Sequence, residues 1–106
     1  MIEPSTNNLS MDKKTYKYNG DTLTVERNSY SNNGTLALCL CHLDGSISDV
    51  VTKNLNHPMQ SDSMAFLDTN NYPKIERFIV KNGLGLPMGY KARSGFCEYP
   101  LYTLFV

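Results

Sequence analysis

The chain reads as an α+β domain, a twisted and mostly antiparallel sheet of about six strands with a single helix packed on one face. Three observations predict this. Stretches of two-residue alternation, such as Leu23 and Val25 set among Thr22, Thr24 and Glu26, are joined by short Asn-Gly and Asp-Gly turns that demand reversed neighbours. Between 72 and 82 the spacing changes: Tyr72, Ile75, Phe78 and Ile79 recur at three and four, with Lys74, Glu76, Arg77 and Lys81 off the stripe. The run TLALCLCHL from Thr35 to Leu43 is apolar at nearly every position, as expected of a central strand buried on both faces.

In chain order, residues 1–14 are polar, carry Pro4 and paired asparagines, and show no periodicity, so they read as a flexible arm ahead of a single domain over 15–106. Thr15 to Arg27 reads as a hairpin turning at Asn19-Gly20, a pair that tolerates positive φ. Asn28 to Gly34 is a turn, Thr35 to Leu43 the central strand, and Asp44-Gly45 the next reversal. Ser46 to Asn54 returns in broken alternation, which predicts a bulge near Val50. Asn56 to Ser63 reads as a loop and Met64 to Leu67 as a short strand.

The helix is predicted over Tyr72 to Asn82, with Pro73 in the first helical position, where a missing N–H costs nothing. Tyr72 stands at the cap, and Asn71 is the better capping side chain of the two. Asn82 and Gly83 stop the helix, and Pro87 forbids its continuation. The ensuing LGLPMGYKARSGFCEYPLYTLFV is dense in glycine, proline and aromatics. A strand starts near Tyr90, Ser94-Gly95 interrupts it, and Tyr99 to Phe105 forms the last strand, with Pro100 placing that strand at an edge or marking its start.

Composition sets bounds on function. The 106 residues, 41% hydrophobic, suffice for one core. Ten basic residues balance ten acidic ones without a long block of either sign, which gives no support to general attraction to nucleic acid or an anionic membrane. No apolar run reaches membrane-spanning length and the start lacks the pattern of a secretory leader, so a cytoplasmic setting without a membrane partner is expected. Three cysteines, an odd number, then read as reduced thiols.

No catalytic, metal or cofactor site is expected. Cys39 and Cys41 would share a strand face, and His42 or Cys97 would have to complete a zinc site, but the spacing lacks a second ligand pair. Packing as small hydrophobes suits both thiols better. Cys97 beside His42 or His57 is the remaining nucleophile reading, and a packed aromatic corner outweighs it. Asp49, Asp62 and Glu98 show no spacing that marks an acid/base pair. Asp68, Asn70 and Asn71 suit a turn with side-chain to backbone bonds, and Gly83, Gly95 and Pro100 are further structural positions. Gly83, Gly85 and Gly89 follow the helix, whereas phosphate loops precede one. The binding candidates are Tyr90, Lys91, Arg93, Phe96, Tyr99 and Tyr102, an aromatic and basic surface.

DTNN at Asp68 to Asn71, NGLGLPMG at Asn82 to Gly89 and SGFCEYPLY at Ser94 to Tyr102, with YNG at Tyr18 to Gly20 and the SNNGTLALCL strand, carry a resemblance. From Tyr16 onward the chain resembles a family of small domains of unknown function encoded on mobile elements and phages of gut Firmicutes and Bacteroidetes. The resemblance implies a compact α+β domain and a mobile-element setting, and implies no activity. The expected function is therefore a non-enzymatic protein-interaction module, an inhibitor or modulator of a bacterial host defence complex. The alternative is a small-ligand or nucleic-acid binding module using the C-terminal surface. A homodimer through residues 35–43 or a sheet edge is also expected, because one helix cannot cover both faces of so apolar a sheet.

Overall fold

The computed structural model describes residues 14–106, and the arm expected at the start falls mainly on residues 1–13, outside them. Among the described residues the strands are β1 (Tyr16–Tyr18), β2 (Asp21–Ser29), β3 (Leu36–Cys41), β4 (Ile47–Val50), β5 (Thr52–Lys53), β6 (Met64–Leu67), β7 (Gly85–Ser94) and β8 (Cys97–Leu104). The helix α1 (Ile75–Lys81) lies between β6 and β7. Every strand pairing is antiparallel.

The architecture corrects the single six-stranded sheet. The strands form two sheets of four, ordered β1-β2-β3-β4 and β5-β6-β8-β7. Val51 explains the division. It is fully buried, its N–H donates to Leu38 O at 3.0 Å, and its own carbonyl accepts from Asp68 N at 2.8 Å. The chain thus leaves β3 and joins β6 within one residue, and the Thr52 hydroxyl accepts from Leu38 N in place of a backbone carbonyl. The expected bulge lies slightly earlier. Leu40 pairs with Asp49 and Cys41 with Ile47, leaving Ser48 as the extra residue.

Alternation explains the core. Leu36, Leu38 and Leu40 of β3 meet Leu23 of β2, Ala65 and Leu67 of β6, Tyr102 and Leu104 of β8, and Ile75, Phe78 and Ile79 of α1 in one buried cluster. Ala37, Cys39 and Cys41 point to the opposite face and are also buried, beside Asn28, Glu26 and Thr24 of β2. Both faces of β3 are therefore covered within one chain. This removes the open central face from which a homodimer was expected.

The helix is shorter than its periodicity predicts, beginning at Ile75 and not at Tyr72. Asp68 is the reason: its carbonyl accepts from Tyr72 N, and its carboxylate accepts from Asn71 N at 3.2 Å and Asn71 Nδ2 at 2.9 Å, which holds 68–72 in a turn. Pro73 falls in that turn, Asn70 is an exposed part of it, and the cap position, Lys74, makes no side-chain cap bond. The other end follows the sequence. Gly83 takes φ +68, its N–H reaches Val80 O, and Leu84 N reaches Ile79 O, the paired bonds that close a helix in a left-handed residue.

One hydrogen bond fastens α1 to β8. The buried Tyr102 hydroxyl donates to Glu76 Oε1 at 2.8 Å, and burial first, then that carboxylate, hold the phenol well above its ordinary value of 10.0. A phenol whose pKa is raised on folding stabilises the fold below the unfolded value, and that contribution fades as pH rises beyond it. Thermal melts between about pH 9 and pH 11 should show wild type losing more stability than Tyr102→Phe, which lacks the ionisable hydroxyl. Parallel losses would refute it.

Candidate functional site

The outer face of the second sheet, turned away from the core cluster, is where exposed apolar side chains collect. Pairing puts Phe66 opposite Leu101, and Met64 and Leu86 opposite Thr103, so these residues share that face. Phe66 is fully buried because the 56–62 loop lies over it: the His57 ring meets it edge-on at 5.6 Å, and Tyr90 stacks on His57 at 5.9 Å and 28°. Asparagines at the β2–β3 turn hold the start of the loop. Asn33 Nδ2 donates to Asn54 Oδ1 at 3.0 Å and Asn56 Oδ1 at 3.1 Å, and Asn54 Nδ2 donates to Asn32 Oδ1 at 2.9 Å.

Between loop and sheet opens a hollow of about 430 Å³ lined by His57, Met59, Met64, Met88, Tyr90 and Leu101 among others. Three of the chain's five methionines stand here. Methionine is unbranched and polarizable, so such a wall adapts to irregular apolar shapes. The same loop also borders a hollow of about 660 Å³ that runs from Asn33 to Asp62.

The hairpin beyond carries the surface outward. β7 is the outermost strand of its sheet and exposes Leu86 at 54%, Met88 at 45% and Tyr90 at 46%. Gly89 at φ +77 sits in the irregular register between Pro87 and Lys91, which breaks the regular ladder of this edge. Gly95 at φ +62 then makes a two-residue turn with Phe96, between the paired Ser94 and Cys97, and leaves the Phe96 ring fully in solvent.

The sequence-predicted binding residues divide on this hairpin. Tyr90, Lys91, Arg93 and Phe96 are exposed along it, whereas Tyr99 and Tyr102 are buried and offer no free ring face. Arg93 faces Glu98 at 3.6 Å, an exposed pair worth about 0–1 kcal/mol. Cys97 is half-buried beside Tyr99, and His57 is engaged by the rings of Phe66 and Tyr90. Among the described residues, no cluster of three or more His, Cys, Asp or Glu is placed to hold a metal ion. No helix among them is long and apolar enough to cross a membrane.

Two features run against the sequence reading. β7 starts at Gly85, five residues before the expected Tyr90, because the glycines and Pro87 that look like a loop are absorbed by its irregular register. Pro100 is buried in an inner strand, although a proline was expected near an edge or a strand start. The strand it occupies loses its other neighbour there: β6 pairs with β8 only as far as Leu101, so Pro100 has β7 alone beside it. Sequence reasoning weighed His57 only as a partner for Cys97, and missed Met59, Met64, Leu86, Met88 and Leu101. The spread of methionines across 59, 64 and 88 was the available signal, and only the fold brings them together.

A family model described as a domain of unknown function, DUF4313, matches residues 22–106. The chain belongs to the DUF4313 family. The match takes in nearly all of β2 and every later element, so the Met-lined hollow and the β7–β8 hairpin lie inside the DUF4313 region, while β1 precedes it. Comparison with curated proteins and with solved structures finds no match.

Proposed function

We propose that this DUF4313 domain is a non-enzymatic protein-interaction module that receives its partner on the outer face of the second sheet. One observation carries the reading. Leu86, Met88, Tyr90 and Phe96 are all strongly exposed on a single hairpin, beside a hollow walled by methionine. Scattered exposed apolar residues are ordinary, but Leu86, Met88 and Tyr90 in alternation on one strand, with Phe96 at the hairpin tip, have the aromatic and methionine content of an interface core. Tyr90 is already seated on His57, so little side-chain entropy is lost when a partner covers it. The irregular edge and the charges of Lys91 and Arg93 hinder indiscriminate strand pairing, which favours docking through side chains.

The finer form of the proposal is an inhibitor or modulator of a bacterial host complex, encoded by a mobile element or phage and acting in the cytoplasm. The resemblance of the DTNN and SGFC-YPLY segments supports it, and three free thiols suit a reducing compartment.

The test is capture from host lysate with wild type and with the double variant Tyr90→Ser, Phe96→Ser. A protein retained by wild type should bind the variant at least about thirtyfold more weakly, as loss of hot-spot anchors implies, with the melting temperature nearly unchanged. Equal retention would overturn the reading. Light scattering at two concentrations covers the remaining case: a dimer that the same double variant abolishes would make the partner a second copy of this chain.

A further inference from the structure

A second surface, with a different chemistry, lies between α1 and the β1–β2 hairpin. α1 and the β1–β2 hairpin enclose a groove of about 370 Å³ whose walls include Lys17 on the hairpin, Lys74 at the helix cap, and Arg77 and Lys81 on the helix. The cap and the two helix positions follow an i, i+3, i+7 spacing, so they form one stripe roughly 10 Å long at about 1.5 Å rise per residue. Lys14 extends the basic wall, its ammonium 5.7 Å above the Tyr16 ring. These five residues are half of the ten Lys and Arg in a chain of zero net charge. Among the described residues no carboxylate lines the groove, and Glu76 on the same helix is turned to the Tyr102 hydroxyl.

Its floor is aromatic. Tyr16 and Tyr18 meet Phe78 edge-on at 6.0 and 5.2 Å, which fixes the hairpin against the helix and seats Tyr16 in the same groove as Lys74, Arg77 and Lys81. Tyr18 and Phe78 are buried, while Tyr16 is half-exposed. Flexible lysines over a partly open tyrosine supply both elements of single-strand recognition, phosphate neutralisation and a face for a base. An acidic peptide would satisfy the cations and leave the ring without a matching partner. We infer that this groove binds a short single-stranded nucleic acid, its phosphates on the cations that line it and a base on Tyr16 in place of the Lys14 ammonium.

The balance of charge over the whole chain masks this groove, because the carboxylates among the described residues lie outside its lining. Fluorescence anisotropy of a labelled oligothymidylate with the full chain tests it. With about four phosphates neutralised, the logarithm of affinity should fall with log salt at a slope near −2.8, about fiftyfold between 50 and 200 mM. Lys74→Gln with Lys81→Gln should reduce that slope by about 1.4, whereas Lys53→Gln, outside the groove, should leave it unchanged. Tyr16→Leu should weaken binding by about five- to a hundredfold, as loss of one stacked base does, with an unchanged circular dichroism spectrum. Absence of binding at 50 mM salt, or equal losses in Lys53→Gln, would overturn the inference. So would displacement of the oligonucleotide by polyglutamate as readily as by unlabelled oligothymidylate, which would assign the groove to an acidic protein segment.

Discussion

Leu38→Ala should destabilise the domain by about 2–5 kcal/mol, enough to lower the melting temperature by on the order of 10–25 °C in a chain of this size. Leu38 is fully buried at the centre of β3, where both sheets and the helix meet, and its backbone bonds Val51 N and the Thr52 hydroxyl on the strand that crosses between sheets. Such a site cannot collapse around a smaller side chain without moving one sheet against the other, so most of the cavity persists. Leu43→Ala, at 65% exposure in the turn after β3, should shift the melt by less than about 0.5 kcal/mol. Thermal or urea denaturation of the two variants decides this directly. A small effect at Leu38 would mean that the core does not join the sheets as described.

Gly85→Val should produce the second large loss, about 3 kcal/mol, and should also disable the proposed interface. Gly85 has no need of a left-handed backbone; its restriction is spatial. A Cβ there would lie 2.5 Å from Thr103 O, 2.8 Å from Leu104 Cδ2 and 3.1 Å from Ile79 Cγ2. The nearest of these is backbone, which cannot swing aside as a flexible side chain would, so β7 must move off β8. Leu86, Met88 and Tyr90 follow immediately on that strand and would be displaced with it. Gly85→Val should therefore lose both stability and partner capture, in contrast to the double variant Tyr90→Ser, Phe96→Ser, which loses capture alone. Retention of full stability by Gly85→Val would show that the contact between β7, β8 and α1 is looser than these distances imply.

The elements legible in the sequence are those fixed by neighbours a few residues apart. Asn19-Gly20 turns the first hairpin with φ of +51 and +86, Gly83 closes the helix, and the apolar run containing Leu36 to Cys41 is a strand buried on both faces. What was not legible depends on partners far along the chain. The division into two sheets is decided at Val51, whose bonds to Leu38 and Asp68 have no local signature. The helix start was misplaced because Asp68 holds 68–72 in a turn more strongly than Pro73 favours entry. Tyr99 and Tyr102 share an aromatic-rich segment with Phe96, and period alone could not tell which rings would be covered. The cations of α1 were visible as its wet side. That they share a groove with Tyr16 and Lys17, more than fifty residues earlier, required the fold.

Val51 stands between the two halves of the chain: β1 to β4 precede it and β5 to β8 follow it. Severing the backbone there would leave each four-stranded ladder whole in its own fragment, yet split the one buried cluster to which both contribute, so neither fragment would keep its apolar face covered. The methionine-walled face and the basic groove are therefore held by a single cooperative scaffold, and an event that loosens either one reaches the other through that common interior.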